Sequence, residues 1–178
     1  MGLERSGKLK TEGELYDYAV GALARRMRSI AELKRLLRQR VDADTEIGKT
    51  LVELVIRRLK DQGYLNDAKY AAAYSDFRRD NEKFGRRRVI MELKAKGVYA
   101  ELIEKAVDSA FADINEEKQA REFLRRKRLK KPLNQKQAAR IFRQLMRAGF
   151  STKTSFSILK KWDVDGEVLD TLESQAEI

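Results

Sequence analysis

The sequence predicts an all-α protein made of three tandem three-helix repeats in an elongated, curved array. The first observation is compositional. The 178 residues include one proline, Pro132, and ten glycines, and 42% are apolar. Little therefore interrupts a helix, and there is enough apolar surface for a core. The second is recurrence. Leu15, Tyr18, Ala19, Ala22 and Leu23 have the spacing of one helix face, Tyr70, Ala71, Tyr74 and Phe77 repeat it, and Ala120, Phe123 and Leu124 repeat it again. A second stripe follows each time: Ile30, Leu33, Leu37, then Val89, Ile90, Leu93, then Ile141, Phe142, Leu145. A third comes after it, with Leu51, Val55 and Leu59 matched by Ile103, Val107 and Phe111, and by Ile158 and Trp162. The register is steady: Tyr18, Tyr70 and Gln119 lie 52 and 49 residues apart, Leu37, Leu93 and Leu145 lie 56 and 52 apart.

The elements in order are a flexible segment 1–13, repeat 1 over 14–66, repeat 2 over 67–115, repeat 3 over 116–163 and an acidic tail 164–178. Local punctuation supports the boundaries. Ser29 with Glu32, and Asn134 with Gln137, have capping-box spacing at the start of two second helices. The middle repeat has Gly85 there, with Phe84 placed to staple onto Val89. Gly97 and Gly149, each followed by an apolar residue, suit left-handed C-terminal caps. After Gly63-Tyr64-Leu65, Asn66 or Asp67 can cap the next helix. A fifty-residue unit is marginal alone, so adjacent repeats should share apolar surface.

With no histidine and no cysteine, the usual zinc sites, a histidine base and a thiolate nucleophile are excluded. Carboxylates, lysines and hydroxyls remain, so an enzyme is disfavoured, and no cofactor, metal or catalytic residue is expected. No stretch is apolar for long enough to span a membrane, no secretory leader is visible, and a cytoplasmic protein is expected.

The net charge is +11 and it is segregated: windows 25–40, 78–96 and 121–147 hold 26 of the 39 basic residues and 5 of the 28 acids. That distribution is the footprint of a polyanion-binding face. The candidate residues are Arg25, Arg26 and Arg28 in repeat 1, Arg78 and Arg79 in repeat 2, and Arg125, Arg126, Lys127, Arg128, Lys130 and Lys131 in repeat 3. The macrodipole at a helix C-terminus accounts for one or two cations in a last turn, not for four in succession. Arg86, Arg87 and Arg88 complete the set. They stand at a helix N-terminus, where the dipole disfavours positive charge, so a grip on a partner is expected of Arg86 and Arg87 above all. A helix-turn-helix reading is disfavoured because two third helices open on acids, Asp42, Asp44 and Glu46, then Glu101 and Glu104. Tyr18, Tyr70, Tyr74, Phe77, Phe123, Phe142, Phe156 and Trp162 fall on buried stripes, which leaves Tyr64 and Tyr99 as the aromatics expected at the surface.

Gly63-Tyr64-Leu65-Asn66-Asp67, Tyr70-Ala71, Gly85 with Arg88-Val89, Glu92-Leu93 and Lys96-Gly97-Val98 resemble the signature of the RecX family of bacterial recombinase regulators. Leu145, Arg147, Gly149 and Phe150 are similar to its C-terminal repeat, and the resemblance runs from about Leu15 to Trp162. Arg86 stands where the family commonly has proline, and Gln119 where the first two repeats have tyrosine. The resemblance implies a monomeric, non-enzymatic protein of DNA recombination and repair. It would bind the RecA nucleoprotein filament along its groove, together with single- or double-stranded DNA without sequence preference, and damp strand exchange and ATP hydrolysis. The alternative is a sequence-independent DNA-binding protein with no recombinase partner. The acidic tail has two readings, a solvated terminal helix or a competitor that folds over the third basic window.

Overall fold

Thr11, Ser29, Thr45, Asn115, Asn134 and Ser151 each stand just ahead of a helical run, and each side-chain oxygen accepts the N–H three residues on. These caps fix where the helices begin. The structure, a computed structural model, describes residues 8–169 and 171. Within them lie α1 (Glu12–Arg25), α2 (Ile30–Arg38), α3 (Glu46–Asp61), α4 (Asp67–Asp80), α5 (Arg86–Ala95), α6 (Ala100–Phe111), α7 (Glu116–Arg126), α8 (Gln135–Arg147) and α9 (Thr152–Lys160). A further helical turn covers 166–169. No strand occurs among the described residues, and no helix there is long and apolar enough to cross a membrane. The fold is all-α, with three-helix repeats.

The chain divides into two compact units that share the middle repeat: one comprises the residues up to Ala71 with Lys94–Leu102, the other Ala72–Leu93 with the residues from Ile103 onward. In the first, Leu15, Ala19, Leu33, Leu37, Val55 and Leu59 form the centre of the core, all essentially inaccessible. In the second, Phe123, Phe142, Leu145, Phe150 and Ile158 do so. There Phe142 stacks on Phe156 at 4.9 Å and Phe123 packs against Phe150 at 5.7 Å.

One joint recurs. In the first unit the Ser29 hydroxyl, at the α2 N-terminus, donates to the Lys96 carbonyl at the α5 C-terminus (2.6 Å). In the second, Gly85 N–H at the α5 N-terminus donates to the Ala148 carbonyl at the α8 C-terminus (2.8 Å), and Arg87 N–H to Gly149 O (3.2 Å). Lys96 and Ala148 are equivalent by register, as are Ser29 and Gly85. The equivalent carbonyl of repeat 1, Arg40, accepts from Leu9 N–H (2.7 Å). The junctions at Ser29 and at Gly85 each set the negative end of one helix dipole against the positive end of another. Gly149 has φ +91, and a Cβ there would meet Arg88 N at 2.2 Å; one at Gly85 would meet Gly149 O at 2.4 Å. Glycine at both positions lets the backbones touch.

Two local expectations, the reciprocal box at Asn134 and Gln137 and the burial of Phe77, need correcting, and the surroundings of Phe84 and Asp67 add detail. The Gln137 side chain accepts from Leu133 N–H (2.9 Å), so Asn134 caps α8 without the reciprocal half of the box. Phe84 packs on Phe123 at 6.2 Å, which makes it part of the repeat 3 core. Asn66 caps α4, accepting from Lys69 N–H, while Asp67 turns away to accept from Ile30 N–H (2.8 Å). Phe77 is 53% exposed. The buried face of α4 runs through Tyr70, Ala71 and Ser75, which leaves Phe77 outside it.

Candidate nucleic-acid interface

The predicted cations divide by whether an intramolecular acid answers them. In the first unit, Arg25 donates to Gly21 O (3.1 Å) and Arg28 to Ala22 O (3.4 Å), so both tie off the end of α1 through carbonyls and keep their charge uncompensated. Arg25 and Arg26 are exposed, and none of the three has a carboxylate partner among the described residues.

Repeat 2 behaves differently. Glu92, with its side chain 15% exposed, is reached from three sides: by Arg78 (2.8 Å), by Arg88 one turn earlier on α5 (2.8 Å) and by the Tyr74 hydroxyl (2.7 Å). Burial opposes the charged form of Glu92, but hydrogen bonds from Tyr74 and Arg88 and the nearby guanidiniums outweigh it and hold the carboxyl below its usual range. Arg79 pairs with Asp76 (2.9 Å) and Asp80 (2.7 Å) and donates to the Ala110 carbonyl (2.5 Å). Arg86 pairs with Asp108 across to α6. Of the opening arginines, only Arg87 makes no close ion pair among the described residues, and its charge helps to hold the Glu116 carboxyl below its usual range.

The field at Arg86, Arg87 and Arg88 differs from that of an isolated helix N-terminus for a reason invisible in the sequence. The C-terminal carbonyls of α8 sit at the α5 N-terminus, so the local field that should repel these cations is offset by its opposite. Arg88 also packs its backbone against Gly149 and so joins repeat 2 to repeat 3. Gln119, in the place of the tyrosines of repeats 1 and 2, is buried and donates to the Arg79 carbonyl (2.6 Å), closing the end of α4.

Repeat 3 is more open. Arg125, Lys127, Arg128 and Lys130 make no close ion pair among the described residues, although the charge of Arg125 reaches Glu122; Lys127 lies over the Phe123 ring at 5.9 Å. Arg126 makes only a 3.4 Å pair with Glu82, and Lys131 pairs with Asp163 (2.8 Å). Beside them is a stripe that runs of consecutive charge do not reveal. Lys136, Arg140, Arg143 and Arg147 recur at spacings of four, three and four on α8. They fall within about 60° of arc over about 16 Å. All four are exposed, and none meets a carboxylate among the described residues. The helix has no acid at all: by the 52-residue register, Gln144 stands where Glu92 stands on α5. The signal in the sequence is the spacing of these cations together with that one difference.

No group of acids among the described residues could hold a metal ion. Glu92, first in an E-x-K motif, is committed to Tyr74, Arg78 and Arg88.

A family model described as RecX, second three-helix domain, matches residues 66–107. The regulatory protein RecX of Leptothrix cholodnii is 35% identical over 145 residues, a match covering 82% of this chain and 87% of that protein. The chain belongs to the RecX family. RecX of Bacillus licheniformis is 33% identical over 165 residues, which cover 89% of this chain but 60% of that longer protein. The crystal structure of RecX from Lactobacillus salivarius superposes with a TM-score of 0.61 at 20% identity, covering 85% of this chain and 96% of that one, and so shares the fold. The Leptothrix and Bacillus relatives are described as regulatory proteins.

Proposed function

We propose that this RecX family protein binds the RecA–DNA nucleoprotein filament, with the cations of repeats 1 and 3 facing the polyanion, and damps strand exchange and ATP hydrolysis. It does so in the cytoplasm as a monomer, without a cofactor, and its building units are repeats 14–66, 67–115 and 116–163. The observation that carries this reading is the α8 stripe of Lys136, Arg140, Arg143 and Arg147, four exposed cations on a helix with no acid. Acids retained there would make it a salt-bridged solvent face; without them it is a track for phosphates. Family membership supports a recombinase as the partner.

The test compares affinity for naked single strands with affinity for RecA-coated ones. Tighter binding to coated strands, with a fall in the filament's ATP hydrolysis, is expected. If four phosphates are neutralised, binding to naked strands should weaken about fiftyfold from 50 to 200 mM salt, and binding to coated strands less steeply. Equal affinity for the two would instead identify a sequence-independent DNA-binding protein with no recombinase partner.

A further inference from the structure

Aligned on their buried residues, the three repeats place Arg25, Phe77 and Arg126 at one position of the first helix, and Arg35, Met91 and Arg143 at one position of the second. All six are exposed. Twice, then, on two different helices, repeat 2 presents a large apolar side chain where repeats 1 and 3 present arginine. Phe77 is 53% exposed and Met91 68%. Neither gains anything from water, whereas aromatic residues and methionine are enriched at protein interfaces.

Their surroundings point the same way. Phe77 follows Asp76 and precedes Arg78, and Met91 precedes Glu92, so both flank the seam in which Arg78 and Arg88 are neutralised by Glu92. Arg79 is likewise answered by Asp76 and Asp80. Apolar side chains bordered by the paired Arg78, Arg79 and Arg88, with Arg87 one turn before Met91 as the unpaired exception, have the make-up of a protein contact, while a polyanion is held where unpaired cations predominate.

We infer that repeat 2 is the protein-contacting module, with Phe77 and Met91 entering apolar pockets on a protein that coats the nucleic acid, while repeats 1 and 3 supply the cations for the strand. This rests on the filament reading above. A polyanion alone offers these two side chains nothing, so they set the preference for coated over naked strands.

The test uses the full chain with Phe77→Ser/Met91→Ser, and with Phe77→Arg/Met91→Arg, which copies the other two repeats. The serine variant should bind naked strands within about twofold of wild type and lose about tenfold of its preference for RecA-coated strands. The arginine variant should bind naked strands more tightly and lose the preference altogether. Phe77→Leu/Met91→Leu, apolar and similar in bulk, should keep it, which guards against a general loss of fold. A wild-type preference retained by both the serine and the arginine variants would overturn this inference alone. Equal wild-type affinity for coated and naked strands would overturn the filament reading and this inference with it.

Discussion

Helices α5 and α8 hold the same place in successive repeats, with Val89 and Ile141, Leu93 and Leu145, and Gly97 and Gly149 in register. Their packing faces agree, and their outer faces are opposites. On α5, Glu92 gathers Arg78, Arg88 and Tyr74 into one half-buried cluster; on α8, Gln144 replaces it and Arg140 and Lys127 keep their charges free. Cation density is similar in the two repeats, so density does not decide which can hold a polyanion. A single carboxylate, placed one turn from one arginine and across a helix seam from another, does.

The sharpest way to break this contrast is to reverse charge on each helix separately. Arg140→Glu/Arg143→Glu/Arg147→Glu should weaken binding to a fluorescent single strand about a hundredfold at 50 mM salt. The slope of log affinity against log salt should flatten by about 0.7 for each phosphate no longer neutralised. Arg86→Glu/Arg88→Glu should change the affinity less than about threefold, because those guanidiniums are already engaged. Comparable losses from the two variants would show that repeat 2's ion pairs open on binding.

Glu92→Gln, which gives α5 the residue α8 has, tests the other side. It leaves two partly buried guanidiniums without a carboxylate and should cost about 2 kcal/mol in urea unfolding, while binding to naked strands tightens severalfold. The cost should depend on pH. A carboxyl held below its usual range stabilises the fold above its unfolded value, near 4.5, and that contribution is lost as pH falls through the folded value. Wild type and Glu92→Gln should therefore differ fully at neutral pH and converge in acid. A gap unchanged at low pH would assign the loss to packing.

This contrast also marks how far the sequence could be read. The repeat, the helices α1 to α9 and the left-handed Gly97 and Gly149 follow from periodicity and turn chemistry, which are local. Ser29 and Glu32 form the expected box for the same reason. The pairing of Arg78 with Glu92 is tertiary: the two are fourteen residues apart in sequence and meet only when α4 lies on α5. The approach of α8's carbonyls to Arg87 is tertiary too, and it removes the main reason for singling out the opening arginines. The α8 stripe was within reach. It lies inside the third basic window, concealed because runs of adjacent charges draw attention where a helix face needs spacing of three and four.

The reciprocal substitution, Gln144→Glu, should have a smaller effect than the stripe reversals because it adds one acid and removes no cation. The new carboxylate would lie four residues beyond Arg140 and, by analogy with Glu92, within reach of Lys127 over Phe123. Binding to naked strands should weaken about fivefold, and the chain should gain a few tenths of a kcal/mol in stability. An unchanged affinity would mean that the strand does not use this corner of repeat 3.

The smallest effect is expected at Asp163, the residue before the acidic tail. It pairs with Lys131 at 2.8 Å, both side chains are mostly exposed, and such pairs contribute little. Residues 170 and 172–178 of the tail lie outside the described residues, but Val164, Val168 and Leu169 pack on the repeat 3 core. Deleting 164–178 would therefore disturb folding and electrostatics together. Asp163→Asn separates them. Position 163 has φ +55, a conformation asparagine accepts as readily as aspartate, so the backbone should hold while Lys131 is released. Binding to naked strands should tighten about twofold at 50 mM salt and not measurably at 200 mM, as a single exposed charge is screened. A tightening that persists at high salt would mean that Asp163 blocks the strand by position rather than by charge.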